Sequence, residues 1–116
     1  MVPLAFEVAT APDLFPGHAL SFTEVGFDEV GIRIEYAIEP AVAMRSPGIG
    51  WVALARDDLG NEYEDVGGAY GPGRDGDRTE GVVTLPFPVE AASALRVRLQ
   101  PDTGPEAYEV VISLHL

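Results

Sequence analysis

The chain has 116 residues, of which 47% are hydrophobic and 22% charged, so it is long enough for one hydrophobic core and too short for two. It contains no Cys, which excludes disulfides, thiolate metal sites and a Cys nucleophile. Nineteen acidic residues against seven basic ones give a formal charge of −12, which disfavours nucleic acid and anionic membranes as partners.

The apolar segments of the chain are short. None approaches the roughly 20 apolar residues that a membrane-spanning helix requires. Residues 1–7 lack the basic and apolar regions of a secretory signal, so we expect a cytoplasmic location. We interpret residues 1–116 as a single domain.

Strand patterns follow one another along the chain, with Gly or Pro between most of them. They cover about eight segments, namely residues 4–8, 20–25, 32–38, 51–56, 62–66, 82–87, 95–99 and 108–116. A helical turn is the alternative for residues 41–44 or 89–94. The pattern predicts an all-β, antiparallel, immunoglobulin-like β-sandwich of about seven to nine strands.

Alternation of apolar and polar residues predicts which side chains face the core. It is clearest in residues 32–38, 95–99 and 108–116. The side chains that we expect to point into one core are Ile34, Tyr36, Leu95, Val97, Val110 and Ile112.

Two connections between predicted strands have distinctive compositions. Residues 57–60, Asp-Asp-Leu-Gly, suit a hairpin turn closed by a glycine at positive φ. Residues 67–81 hold six glycines and few apolar side chains, so we expect a long loop, the most mobile part of the molecule and its working surface. Tyr70 lies alone in this segment and is either incidental or an anchor that buries itself in a partner.

Several of these residues occur in a familiar combination. Asp57-Asp58-Leu59-Gly60 with Tyr63, the glycine-rich run, the segment Leu-Pro-Phe-Pro at 85–88, and Ala94, Leu95 and Val97 resemble a group of uncharacterised actinobacterial proteins. The resemblance covers about residues 20–116 and implies an immunoglobulin-type sandwich. This chain has a shorter glycine run than that group and no second Pro-rich cluster. The group implies no activity for named residues.

Candidate catalytic residues are few. Ser113 and His115 share one face of the last predicted strand, with Glu109 further along it. A serine hydrolase needs an activated hydroxyl, a base and an orienting acid in a cleft, and flat strand positions do not provide one. His18, the other histidine, is expected in an exposed loop, although with carboxylates it could serve zinc or iron. We therefore assign no catalytic residue and no cofactor.

Acidic residues cluster at two turns. Asp57, Asp58, Asn61 and Glu62 flank the hairpin, and Asp75 and Asp77 lie in the glycine-rich segment. Hard cations such as calcium take oxygen ligands of this kind, but the spacing is not that of an EF-hand. Asp and Asn are also ordinary turn residues, because their side chains cap local backbone groups. We therefore assign no metal ligand.

Aromatic and basic side chains complete the candidates. The aromatic residues that would decide function if exposed are Trp51, Tyr63, Tyr70, Phe15 and Phe27, and Trp51 is expected to fill the core. Arg96 and Arg98 are expected to form cross-strand ion pairs with Glu109, near Arg33 and Glu35, with a carboxylate-ligand site as the alternative.

Two functions remain open. The first is a non-catalytic β-sandwich binding or protein-interaction module, whose partner is another protein or a further copy of the chain. The second is a metal-dependent binding domain or enzyme that uses calcium or zinc at Asp57, Asp58, Asp75 and Asp77.

Overall fold

The fold is built from ten β-strands. The computed structural model describes residues 1–14, 16–41, 51–72, 76–101 and 105–115, without the side chains of Trp51, Tyr70, Pro72 and Pro101. None of the described residues is helical. The strands are β1 (Val2–Pro3), β2 (Phe6–Thr10), β3 (Ala19–Phe27), β4 (Gly31–Glu39), β5 (Trp51–Asp57), β6 (Glu62–Glu64), β7 (Gly67–Pro72), β8 (Thr79–Pro86), β9 (Ala94–Pro101) and β10 (Tyr108–Ser113).

The strands form two antiparallel sheets that pack as a sandwich. Sheet A has the order β1-β3-β4-β8-β7, and sheet B has the order β2-β10-β9-β5-β6. The hairpins β3-β4, β5-β6, β7-β8 and β9-β10 join neighbouring strands, and the other connections cross between the sheets. Strand β2 pairs with β10, so the two ends of the chain meet in sheet B.

The core lies between the sheets and follows the predicted alternation. All six residues predicted to point into it are buried and belong to one cluster, which confirms the register of β4, β9 and β10. Phe22 of sheet A and Tyr108 of sheet B meet edge to face, with ring centroids 6.0 Å apart. Such pairs add stability beyond the apolar area that they bury.

The predicted fold class is confirmed, with corrections to the strand count. There are ten strands rather than about seven to nine, because the two-residue β1 and the glycine-rich β7 carry no alternating pattern. The immunoglobulin likeness stays a prediction, since each sheet has five strands whereas constant immunoglobulin domains have four and three. Residues 89–92 close a hydrogen-bonded turn, Ala92 N–H to the Val89 carbonyl at 3.0 Å, and not a helix.

The long loop predicted over residues 67–81 is wrong for most of its length. Gly67–Pro72 pair with β8 in regular antiparallel register, and β8 itself begins at Thr79. The segment is therefore a hairpin whose first strand is held by backbone pairing. Side-chain pattern could not reveal it, because glycine has no side chain to alternate.

Tyr36 explains why a glycine stands at position 81. The two residues lie opposite each other on the inner face of sheet A, and the Tyr36 ring covers the place where a side chain of residue 81 would begin. A Cβ there would lie 2.7 Å from the ring Cε1, closer than packed atoms approach. Gly81 thus makes room for an aromatic side chain in the core.

Candidate functional site

The acidic hairpin is closed by the carboxylate of Asp57, which accepts four hydrogen bonds. Gly60 adopts the predicted positive φ, +91°. Asp57 is 5% exposed, and its Oδ1 accepts the N–H groups of Leu59 at 2.9 Å and Asn61 at 2.8 Å. Its Oδ2 accepts the Asn61 amide at 2.9 Å and the Tyr63 hydroxyl at 2.7 Å. Four protein donors therefore occupy this carboxylate.

These hydrogen bonds change the pKa values of Asp57 and Tyr63. Burial raises the pKa of Asp57, but the hydrogen bonds from Tyr63 and Asn61 outweigh it and lower the pKa to about 2. Burial and the bond to Asp57 raise the pKa of Tyr63, whose hydroxyl also accepts the Val89 N–H at 3.0 Å. Asp57 is a fixed anion at neutral pH that organises the turn.

Asp58 attaches the same hairpin to the start of β9. Its Oδ1 accepts the N–H groups of Ser93 at 2.9 Å and Ala94 at 3.4 Å, and these bonds lower its pKa. Its own N–H donates to the Ala94 carbonyl at 3.2 Å. Both aspartates are thus turn and capping residues, as the turn interpretation expects.

The loop carboxylates do not assemble into a cation site in the described part of the chain. Within it, no group of three or more His, Asp or Glu side chains could hold a metal ion. Asp75 lies outside the described residues, and Asp77 is exposed after the gap. A cation at the hairpin would have to compete with the donors that already bind both oxygens of Asp57 and the Oδ1 of Asp58.

Ser113, His115 and Glu109 serve separate contacts. The Ser113 N–H donates to the Ala5 carbonyl at 2.9 Å, and His115 Nε2 lies 3.0 Å from the hydroxyl of Ser93. Glu109 accepts the Thr10 hydroxyl at 3.2 Å and binds arginines. The sequence did not single out Ser93, because it is 22 residues from His115 and in no motif. Ser93 and His115 are both exposed.

His18 binds the backbone and not a cluster of side chains. Its Nδ1 is hydrogen-bonded to the carbonyl oxygen of Pro40. The side chain thereby connects the start of β3 to the end of β4.

The outer face of sheet B carries the predicted ion pairs. Glu109 binds Arg96 at 3.2 Å and Arg98 at 3.8 Å, which confirms that pairing. Arg33 and Glu35 pair with each other at 3.0 Å on sheet A instead of joining this group. Arg56 lies directly opposite Arg96 and binds Glu62 at 2.7 Å. Each pair is at least partly exposed to solvent and contributes little stability.

Strand β7 forms an open edge of sheet A. Its sequence, Gly-Gly-Ala-Tyr-Gly-Pro, contains no charged residue, and Gly67, Gly68 and Ala69 are exposed. It pairs with β8 on one side, and no strand in the described part of the chain pairs with its other side. We call Gly67–Pro72, viewed from that side, the β7 edge. Exposed sheet edges are usually protected by charged side chains or Pro, and this one has no charged residue and a Pro only at its last position.

The β7 edge borders a recess on the outer face of sheet A. The recess has a volume of about 480 Å³, and its floor is formed by small side chains and one valine, Ala37, Ala69, Gly71 and Val82. Two ion pairs form its rims: Arg33 with Glu35, and Arg78 with Glu80. We call this space, with those floor and rim residues, the sheet A recess. Its shallow floor follows from the glycine and alanine of β7.

The edge of sheet B lies beside the β7 edge. Strand β6 is the edge of sheet B and contacts β8, and only Asp65 and Val66 separate it from β7. Glu64 is exposed, and Asp65 accepts the Ala53 N–H at 3.0 Å. Both edges therefore lie on the same side of the sandwich.

Some predicted candidates are not described. Phe15 and residues 42–44 lie outside the described residues, as do the side chains of Trp51 and Tyr70. Tyr63 and Phe27 pack against the core, and Phe27 also stacks on the exposed Phe87 with centroids 6.1 Å apart. No helix among the described residues is long and apolar enough to cross a bilayer.

No protein-family model, curated protein or solved structure matches the chain. The resemblance to actinobacterial proteins therefore stays a prediction.

Proposed function

We propose that the protein is a non-catalytic β-sandwich interaction module that binds an extended protein segment along the β7 edge. The observation that carries the proposal is the uncharged edge strand Gly67–Pro72 at the end of sheet A, of which Gly67, Gly68 and Ala69 are exposed. An extended peptide can add to such an edge as a further strand, with main-chain hydrogen bonds providing affinity.

The contacts of the polar candidates support a non-catalytic role. Both carboxylate oxygens of Asp57 accept hydrogen bonds within the hairpin, and the Oδ1 of Asp58 accepts backbone N–H groups at the start of β9. Glu109 neutralises Arg96, and His18 binds a backbone carbonyl. An acid or base occupied in this way is not positioned toward a substrate.

The β7 edge also departs from the usual treatment of exposed strands. Lys, Glu or inward-pointing charges ordinarily prevent another chain from pairing there. The chain has abundant charge, at 22% of its residues, yet places none of it in Gly67–Pro72. An accessible edge of this kind is suited to a partner strand.

The metal-dependent alternative retains little support. Calcium or zinc at Asp57 and Asp58 would compete with hydrogen bonds of 2.7 to 3.4 Å. Calorimetric titration with each ion tests it, and heat or a raised melting temperature that Asp57→Asn abolishes would favour the metal function over the interaction module.

The test of the interaction module uses synthetic peptides. The first probe is a peptide of about ten residues that alternates Val and Thr. A control peptide of the same sequence carries an N-methyl group on every second amide, which removes the donors that face the protein. Amide spectra of the labelled protein are recorded with each peptide, and the β2 edge of sheet B (Phe6–Thr10) is the internal control.

We expect the unmodified peptide to shift the amide signals of Gly67–Gly71 and to slow the hydrogen exchange of those amides that point away from β8, because backbone pairing covers them. The methylated control peptide should neither shift these signals nor slow their exchange. Equal responses to both peptides, or a response at the β2 edge alone, would overturn the proposal. A concentration-dependent dimer with protected β7 amides would support the module and identify a second copy as its partner.

A further inference from the structure

The charges around the β7 edge restrict the chemistry of the strand that it accepts. Opposite residues of an antiparallel pair share a face, so a strand added beside β7 places alternate side chains next to Ala69 and Gly71. These side chains can lean over the small β7 residues into the sheet A recess. Their environment is therefore set by the rims of that recess.

One rim of the recess has more carboxylate than guanidinium. Arg78 binds Glu80, with Nε to Oε1 at 2.7 Å, and also Glu39 at 3.5 Å. Two carboxylates share one guanidinium, which leaves the cluster one negative charge. The opposite rim, Arg33 with Glu35, is neutral. A cation entering the recess would complete the pairing at the Arg78 rim.

The net charge of the chain also favours a cationic partner. Glu64 and Asp65 lie just before β7, and the whole chain has a formal charge of −12. A field of this sign attracts a cationic segment and accelerates its association. It also repels a second copy of the chain, which carries the same charge.

Resting on the proposed function, we infer that the partner of the β7 edge is an extended basic polypeptide segment whose alternate side chains are Lys or Arg and enter the sheet A recess. Backbone hydrogen bonds to Gly67–Pro72 hold the segment in register. The basic side chains supply selectivity through Glu80 and Glu39.

The experiment compares three peptides of about ten residues that alternate Val with Lys, Thr or Glu. An N-methylated form of the Val-Lys peptide is the control for attraction without strand pairing. Affinities are measured by calorimetry at low salt and at about 0.5 M salt, where surface charges are screened. Amide spectra locate each binding event, and sedimentation reports the oligomeric state.

We expect the Val-Lys peptide to bind at the β7 edge about tenfold or more tightly than the Val-Thr peptide at low salt, with the difference shrinking at high salt. The Val-Glu peptide should bind more weakly than either. Ala69→Lys should weaken Val-Lys binding more than Ala69→Glu does, because the two variants add a side chain of comparable length at the same exposed position and differ in the sign of its charge.

Each other outcome has a definite meaning. Equal binding of the Val-Lys and Val-Thr peptides at the β7 edge would overturn this inference and leave the proposed function standing. Equal binding of the methylated Val-Lys peptide would also overturn it, because charge alone would then explain the attraction. A β7-paired dimer that forms more readily as salt rises would replace the basic segment with a second copy. Absence of any β7 response to all peptides would overturn both proposals.

Discussion

The Asp57 carboxylate fastens the end of β5 to its turn and to β6. Its donors come from Leu59, Asn61 and Tyr63, and Tyr63 in turn binds Val89. Since this carboxylate has a folded pKa of about 2 against an ordinary 3.8, the folded state favours its charged form. Its contribution to stability is present above pH 3.8 and is lost as the pH falls toward 2.

Asp57→Asn should therefore lower the melting temperature at pH 7 and reduce the acid sensitivity of the fold. The amide keeps the size of the side chain but presents a donor where the Tyr63 hydroxyl and the Asn61 amide donate. Thermal melts between about pH 2 and pH 7 measure the effect. Asp28 and Asp58 also have lowered pKa values, so some acid dependence should remain. An acid slope identical to that of the unchanged protein would contradict the role given to Asp57.

Ile112 tests the packing of a single core side chain. It is 0% exposed, and Ile112→Ala should reduce the free energy of unfolding by about 2 to 5 kcal/mol through lost burial and a cavity. Leu54→Ala on the outer face of sheet B, where Leu54 is 46% exposed, should change it by less than about 0.5 kcal/mol. Denaturant unfolding compares the two variants. A similar loss of unfolding free energy in both variants would contradict the assignment of Ile112 to the inner face and Leu54 to the outer face of sheet B.

At the scale of the strand, the hairpin of β7 and β8 contains two glycines that should respond differently to substitution. Gly81→Ala would force the new Cβ against the Tyr36 ring and should destabilise the fold by about 1 to 3 kcal/mol. At Gly71 a Cβ would meet nothing within 4 Å, so Gly71→Ala should be neutral or stabilise by up to about 1 kcal/mol. Chemical denaturation of both variants makes the comparison, and equal stability would refute the close approach at Tyr36.

Sequence patterns predicted the strands that alternate apolar and polar residues and missed β1 and β7, which do not. Residues 32–38 and 95–99 alternate because one side of each contacts the core, and that signal gave both strand and register. Strand β7 is held by backbone pairing to β8, which leaves no trace in its side chains. The sequence thus directed attention to residues 67–81 but could not show that they form a sheet edge beside a recess.

The hairpin contacts were also only partly predictable. The turn at residues 57–60 follows from local residue preferences. The bonds from Asp58 to Ser93, and from Tyr63 to Val89, join segments distant in sequence, and no local pattern encodes them. For the same reason Ser93 was not anticipated beside His115.

At the scale of the whole molecule, the charge of −12 opposes compaction. Added salt should raise the melting temperature at neutral pH by screening this repulsion. A variant with Glu29→Gln, Glu64→Gln and Glu90→Gln, three exposed positions, should respond less because fewer like charges remain. Melts across a sodium chloride series measure both proteins. A flat response from the unchanged chain would indicate that its carboxylates are paired.

The pairing of β2 with β10 has a consequence for synthesis on the ribosome. Phe6–Thr10 emerges early, but its partner Tyr108–Ser113 is translated about a hundred residues later. Sheet A can be completed as soon as β8 has emerged, because all its strands lie before Ala94. Sheet B must wait for β10, and until then the nascent chain exposes the apolar inner face of sheet A. Apolar surface that is exposed for such an interval is prone to aggregation.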